Sequence, residues 1–315
     1  MTTPTTVHAA TEALASHAGR ARAGGTDVVA LAHARRVEGP FVDLHRLTEL
    51  RGISRRPDGS TLVGATTTIA EVAADATLRA HYPALVATAG ALATPQIRAV
   101  ATVGGNLLQR NRCSYYRNPA FSCLQSGGDT CPAREGEHQH AAVIDQGPCV
   151  APHPSSMAVA LLAHEASAHL ADGGSVPVAE LYDGTDPTRD HQLSPGRLVT
   201  GIELPPPVPG EAAAHHRATA RSRAEWPLVE AVARLSISDG VISGAVVAVG
   251  AVARSPVRLT EVEDALVNSP VSDGPPPAAL AGITGLCSPL PGNGYKVELL
   301  RATVTEVLER ALRQD

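Results

Sequence analysis

Thr94-Pro95-Gln96-Ile97-Arg98-Ala99-Val100-Ala101-Thr102-Val103-Gly104-Gly105-Asn106-Leu107-Leu108-Gln109 holds the second of two glycine pairs on which the reading of the fold turns. Taken alone the run is ordinary, because β-branched residues followed by Gly-Gly-Asn describe the end of many strands. Upstream, Ala23-Gly24-Gly25-Thr26-Asp27-Val28 stands where a strand passes into a helix. Consecutive glycines let the backbone approach a ligand closely, and free amides ahead of a helix suit an anion such as a pyrophosphate. The same letters also describe a plain turn with a capping Thr or Asp.

Around these pairs, short apolar runs alternate with helix-like stretches. Helices are expected over 28–34, 69–74, 83–93 and 155–163, and strands over 61–65, 141–144 and 198–204. The alternation points to an α+β or α/β unit. Pro205-Pro206-Pro207, followed by Pro209-Gly210, is the best boundary in the chain. Beyond it a strand is expected over 241–252, and helices over 260–267 and 295–312. Val297, Leu300, Val304, Val307, Leu308 and Ala311 fall on one face of the last helix, the pattern of packing against a sheet.

Residues 109–140 break this pattern: Arg, Asn, Gly, Pro and Cys dominate and apolar periodicity vanishes. A long irregular stretch inside a compact domain implies something that organises it. Four of the five cysteines lie in or just beyond this stretch, Cys113, Cys123, Cys131 and Cys149, spaced C-x9-C-x7-C-x17-C, with Cys287 far away. The spacing lacks the paired C-x2-C knuckles of most structural zinc sites, yet four thiolates from an irregular loop are enough for an iron–sulfur cluster. Spacing alone leaves iron–sulfur, zinc and buried unpaired thiols open. His138 and His140 are read as loop-capping or surface residues, Glu135 and Glu137 as solvated, and Cys287 as a passive thiol.

The chain has 315 residues, 43% hydrophobic and 18% charged, with a net charge of −5, so nucleic acid is not the expected partner. Lys296 is the only lysine. No run is long and apolar enough to span a membrane, and Met1–His8 does not read as a secretory signal, so a cytoplasmic protein is expected.

The order AGGTDV, TPQIRAVATVGGNLLQ, HPSSMAVALLA, LSPGRLVTGIELP, VAVGAVARSPVRLTEVEDAL and GNGYK resembles the FAD-binding (medium) subunits of the molybdenum hydroxylase family, which includes xanthine dehydrogenases and aldehyde oxidoreductases. Arg110-Asn111-Arg112-Cys113-Ser114-Tyr115-Tyr116-Arg117, with the three later cysteines, is similar to a branch whose flavin subunit carries an extra [4Fe–4S] cluster. The resemblance implies an α+β fold. A two-subdomain FAD-binding domain of the vanillyl-alcohol-oxidase (PCMH) type would span 1–207, with the cysteine loop at 109–149. A small α/β domain like that of carbon monoxide dehydrogenase flavoproteins would span 211–315.

By the same resemblance, Ala23, Gly24, Gly25, Thr26, Asp27 and Val28 form one wall of the FAD site, and Thr102, Gly105 and Asn106 the other. Leu92, Ala93 and Leu198 match positions near the flavin, and Arg217 stands nearest to a family lysine. Cys113, Cys123, Cys131 and Cys149 match the cluster ligands. Two departures stand out: Ser156 replaces an acidic residue in the His153-Pro154-Ser155-Ser156 segment, and Trp226-Pro227 replaces a Phe-Ala pair.

The expected function is electron transfer from partner iron–sulfur centres through FAD to an external acceptor. The partners would be a large molybdopterin-binding subunit and a small [2Fe–2S] subunit. No side chain is required as acid or base. The alternatives are a stand-alone FAD-dependent oxidase or dehydrogenase acting on a small molecule, and a non-redox FAD- or metal-binding scaffold.

Overall fold

The computed structural model describes residues 1–16 and 19–313; Gln314 and Asp315, which close the expected C-terminal unit, lie outside the described residues. At the N-terminus, strands β1 (Arg20–Arg22) and β2 (Phe41–Asp43) pair in parallel, with helix Val28–His33 in the crossover between them. Parallel neighbours need such a crossover, so the first glycine pair sits at the carboxyl end of β1, where ligands bind in folds of this kind. Ala10, Leu14, Val42, Leu44, Leu47 and Leu50 form a small core there.

A second layer is a five-stranded antiparallel sheet in the order β3 (Ile53–Arg55), β4 (Thr61–Gly64), β7 (Val199–Leu204), β5 (Ser167–Leu170), β6 (Ser175–Pro177). Helices Ile69–Ala74, Pro83–Ala91, Val103–Leu107 and Ser156–Ala163 share a core with it that includes Leu85, Leu107, Met157, Leu161 and Ile202. Helix Ile69–Ala74 starts in a reciprocal cap: the Thr68 side chain accepts from the Glu71 amide, and the Glu71 carboxylate accepts from the Thr68 amide. All eight residues of helix Ser156–Ala163 are buried. A helix apolar all round needs neighbours on every side. It has them, because it lies between this layer and the C-terminal sheet.

That third layer is antiparallel, in the order β11 (Val257–Arg258), β10 (Val241–Gly250), β9 (Val229–Ser238), β8 (Glu211–Ala218). Helix Tyr295–Leu312 covers β8 and β9, and the six residues of its apolar stripe are all buried. Among the described residues, no helix is long and apolar enough to cross a membrane.

Two local expectations are corrected. The segment around Gly104-Gly105 is a short helix, Val103–Leu107, rather than a strand end, because Thr102 Oγ1 accepts from the Gly105 amide at 3.2 Å and so caps it. Residues 141–144 form no strand, since the Val143 and Ile144 amides both donate to the Val252 carbonyl, a convergence that a ladder cannot accommodate. Strands β8 and β9 carry no strong period-two pattern in the sequence. β9 is buried along most of its length because β8 and β10 flank it and helices cover its two faces.

Lys296 joins the C-terminal helix to the cysteine loop. Its buried ammonium donates to the carbonyls of Ala251 at 2.7 Å, Ala141 at 3.0 Å and His140 at 3.4 Å. Burial pushes its pKa from 10.5 down to about 7. Between those two values the unfolded chain holds a proton that the folded chain has released, so this group makes stability rise with pH across the window from about 7 to 10.5. Denaturant midpoints taken across that window are expected to rise in the wild type relative to Lys296→Met. Identical pH slopes in the two proteins would contradict this assignment.

Candidate functional site

The first glycine pair makes a tight turn that tolerates no side chain at Gly24, where a Cβ would stand 1.8 Å from the Val100 carbonyl oxygen. Gly25 has φ +73°, a conformation that suits glycine. The turn is thus seated against the segment that leads into the second glycine pair. Asp27 occupies the N-cap position of helix Val28–His33 but makes no cap bond with its side chain. Its carboxylate instead pairs with Arg117 at 2.7 Å and Arg112 at 3.1 Å, and accepts from the Arg110 amide at 2.9 Å. Those three arginines flank Cys113, so the glycine turn is bonded directly to the cysteine loop.

Across from the turn, a cavity of about 260 Å³ is lined by Thr26, Asp27, Leu92, Ala93, Gly105, Asn106, Arg112, Arg217 and Trp226. Arg98 fixes the far edge by donating to the carbonyls of Leu92 at 2.6 Å and Ala93 at 3.0 Å. Arg217, on β8, donates to the carbonyls of Ala91 and Glu225, and so ties the C-terminal sheet to the same edge. Asn106 is held by the Ser155 hydroxyl, which donates to its Oδ1 at 2.7 Å.

A second cavity of about 730 Å³ adjoins the first and shares Arg112, Ala224, Glu225 and Trp226 with it. The Arg112 guanidinium stacks on the Trp226 ring with 4.3 Å to the centroid, and this pair forms the partition. Burial pulls the Arg112 pKa down to about 10, which leaves the guanidinium charged at neutral pH. The volume of the larger cavity falls within the range of cofactor sites, about 300–1,000 Å³. Cys113, Tyr115, His138, His140, His153 and Leu228 are on its walls.

Three residues on the walls of these cavities have a buried polar atom with no hydrogen-bond partner among the described residues: Arg112 Nε, Arg217 Nε and His153 Nε2. Buried polar atoms left unpaired are costly, so a polar group bound in the cleft is the natural way to satisfy them. Burial pushes His153 down to about 3, so its ring is neutral, and its Nδ1 accepts from the Ser155 amide. The unpaired Nε2 is therefore a free N–H donor. Ser156 opens helix Ser156–Ala163, buried and with its Oγ unpartnered, and lines neither cavity.

Of the sequence-derived positions, the structure brings together Thr26, Asp27, Leu92, Ala93, Gly105, Asn106 and Arg217 on one cavity. Ala23, Gly24, Gly25 and Thr102 shape the backbone behind its walls. Val28 faces the other way, onto a cluster with Leu31, Tyr116 and Cys123. Leu198 is not part of the cleft: it is buried with Leu44, Leu47 and Leu50 in the N-terminal core, where the chain enters β7. Sequence reading missed Arg112, whose doubled role on Asp27 and Trp226 has no local signal, and His153, which was quoted only as part of its motif.

Cys113, Cys123, Cys131 and Cys149 line one small closed cavity, together with Asn111, Tyr116 and Gln125. Cys287 lies elsewhere, half-buried, and its thiol donates to the Ile283 carbonyl. The neighbouring thiols act on each other, which pulls the Cys131 thiol down and, with burial, pushes the Cys149 thiol up. Among the described residues, no group of three or more His, Cys, Asp or Glu closes on a single metal-ion position. His138 braces the loop, accepting at Nε2 from the Gly292 amide at 2.9 Å.

Residues 1–207 match the family described as "FAD binding domain in molybdopterin dehydrogenase", and residues 214–314 match "CO dehydrogenase flavoprotein C-terminal domain". The chain is 33% identical, over 303 residues, to the FAD-binding subunit PaoB of an aldehyde oxidoreductase from Escherichia coli (strain K12), covering 93% of this chain and 91% of that one. A stretch of 86 residues, 27% of this chain, is 48% identical to the xanthine dehydrogenase FAD-binding subunit of Escherichia coli O157:H7, of which it covers 30%.

The fold is similar to a chain of CO dehydrogenase from Oligotropha carboxidovorans, with a TM-score of 0.78 at 21% identity, covering 99% of this chain and 97% of that one. It is also similar to a chain of quinoline 2-oxidoreductase from Pseudomonas putida 86, with a TM-score of 0.72 at 22% identity, covering 99% and 95%.

Proposed function

The chain belongs to the family of FAD-binding subunits of molybdenum hydroxylases, and from this we propose that it is the electron-transfer subunit of such a complex, standing between partner iron–sulfur centres and an external acceptor. It is an oxidoreductase subunit that binds FAD. The proposed partners are a large molybdopterin-binding subunit and a small [2Fe–2S] subunit, with the cytoplasm, where thiols stay reduced, as the compartment. The proposed division is an FAD-binding unit over 1–207 and a C-terminal unit over 211–315.

The FAD site is assigned to the cleft around the two glycine pairs. Ala23 to Val28 would supply amides to the diphosphate, with Thr102, Gly105 and Asn106 on the facing wall. Leu92 and Ala93 would provide the apolar edge. Arg217 and His153 offer unpaired polar atoms that suit the heteroatoms of a flavin nucleotide. Leu198 and Ser156 are left out of this assignment.

The four-cysteine cavity is assigned to a [4Fe–4S] cluster. Four cysteines lining one small cavity support it. Cys113, Cys123, Cys131 and Cys149 would hold the cluster, which would supply one-electron chemistry there. FAD and the cluster, when bound, supply the electron chemistry. The protein's residues bind and orient: Asp27 fixes Arg112 and Arg117 on either side of Cys113, and Trp226 holds the Arg112 plane between the two cavities.

One observation carries the electron-transfer reading over a stand-alone oxidase: Cys113 lines both the cysteine cavity and the large cavity of the cleft. A two-electron oxidase has no use for a one-electron relay beside its flavin. The isolated chain is therefore expected to turn over aldehydes or purines negligibly, while accepting electrons from a reduced one-electron donor and passing them to an acceptor. Steady-state assays on the lone chain test this. Substantial substrate oxidation at a rate indifferent to Cys113→Ser would reject it.

A further inference from the structure

Behind the four-cysteine cavity lies a buried carboxylate with no role in the assignments above. The Asp190 side chain is 5% exposed. It accepts from Arg110 Nε at 2.6 Å, from the Asn111 amide at 3.1 Å, from Asn111 Nδ2 at 3.3 Å and from Gln125 Nε2 at 2.8 Å. Gln125 Oε1 closes the network, accepting from Asn111 Nδ2 at 2.6 Å and Arg110 Nη2 at 2.7 Å. Asn111 Oδ1 then accepts from the Cys113 amide at 3.0 Å. One carboxylate thus fixes the residue two before Cys113 and the residue two after Cys123, and both of those residues line the cysteine cavity.

The other half of the site is held differently. Arg134, just after Cys131, donates to the carbonyls of Pro148 at 2.8 Å and Gly147 at 2.6 Å, just before Cys149. Among the described residues, none of the hydrogen bonds of Asp190 reaches that half. Burial alone would push the Asp190 carboxyl up, but Arg110, Gln125 and Asn111 outweigh it and hold it below the usual range. It is a buried negative charge, partnered on one side by Arg110.

We propose that Asp190 is a positioning residue for the Cys113–Cys123 half of the cysteine site, and that its charge lowers the reduction potential of the cluster held there. The second clause rests on the [4Fe–4S] reading above; the first does not. A nearby negative charge disfavours adding an electron to a cluster, and net charge and hydrogen bonding are among the factors that set cluster potentials. Asp190→Asn keeps the shape but turns one of the two acceptor oxygens into an NH2 facing the network's donors, removes the charge and leaves Arg110 uncompensated, so the potential moves positive.

The test uses the full chain, purified anaerobically with its partners, as wild type, Asp190→Asn and Asp190→Ala. Iron and flavin contents are measured first, and the cluster is then titrated reductively by EPR. At a fixed ambient potential the reduced-to-oxidised ratio is expected to be at least tenfold higher in Asp190→Asn, which is 59 mV for a one-electron couple. A wild-type potential at full iron content overturns the electrostatic role.

In a second measurement the iron is removed by chelation and the alkylation rate of each cysteine is followed by mass spectrometry. Cys113 and Cys123 are expected to react faster in both variants, with Cys131, Cys149 and Cys287 unchanged. Uniform acceleration, or none, overturns the positioning role. Iron-free wild-type protein would remove the cluster reading and the electrostatic clause with it, while the labelling pattern still decides whether Asp190 positions the two cysteines.

Discussion

Cys113→Ser is expected to leave the protein nearly free of iron, where the wild type is expected to hold about four irons and four acid-labile sulfides per chain, the stoichiometry of a cuboidal cluster on four cysteines. Loss of flavin is expected to accompany it. The segment from Arg110 to Arg117 reaches Asp27 through three bonds, so loosening Cys113 releases the glycine turn as well. The loop's own helices are only three or four residues long, and ordering each backbone residue costs about 1–2 kcal/mol. Ligation offsets that cost. Cys287→Ser, remote from the cavity, is expected to keep full iron. Metal and sulfide analysis on the anaerobic protein checks both variants; one zinc per chain without sulfide would replace the cluster with a structural metal site.

Gly24→Val is expected to abolish FAD retention. Even the first carbon of a side chain would stand 1.8 Å from the Val100 carbonyl oxygen, and backbone on both sides leaves no flexible group to move away. The turn must separate from the Val100–Ala101 segment, which opens the cavity between Thr26 and Gly105 and costs roughly 1–3 kcal/mol of stability besides. Gly25→Val acts through φ +73° rather than through a clash, and is expected to lower flavin occupancy less steeply. Gly105→Val presses on Thr102 Oγ1, 2.9 Å from the added carbon, and so disturbs the cap of helix Val103–Leu107. The flavin-to-protein absorbance ratio of each folded variant measures the effect. Full occupancy in Gly24→Val would remove this turn from the site.

The first glycine turn, the irregular cysteine loop and the C-terminal helix were legible in the sequence, each for a local reason. Tyr295–Leu312 was readable to the residue because its stripe repeats at helical spacing over about four turns. The irregular loop was readable because its composition cannot bury a core. The glycine turn was readable because few other residues fit a strand-to-helix corner of that shape. Family resemblance then put these pieces in order, and the match over residues 1–207 and 214–314 bears out the family.

Other features were decided only when the chain closed on itself. The spacing C-x9-C-x7-C-x17-C is compatible with scattered thiols, a zinc site or a cluster; that the four line one cavity is seen only in the folded chain, where Asp190, Arg134 and Lys296 bond segments beside the cysteines. Asp27 read as a cap, yet its carboxylate is used by arginines more than 80 residues away. Leu198 read as a flavin neighbour, yet the N-terminal core claims it. Hydrophobic period and turn chemistry are written within a few residues, so sequence alone determines them. Which buried charge meets which partner depends on faces brought together from distant segments, and that is settled by packing.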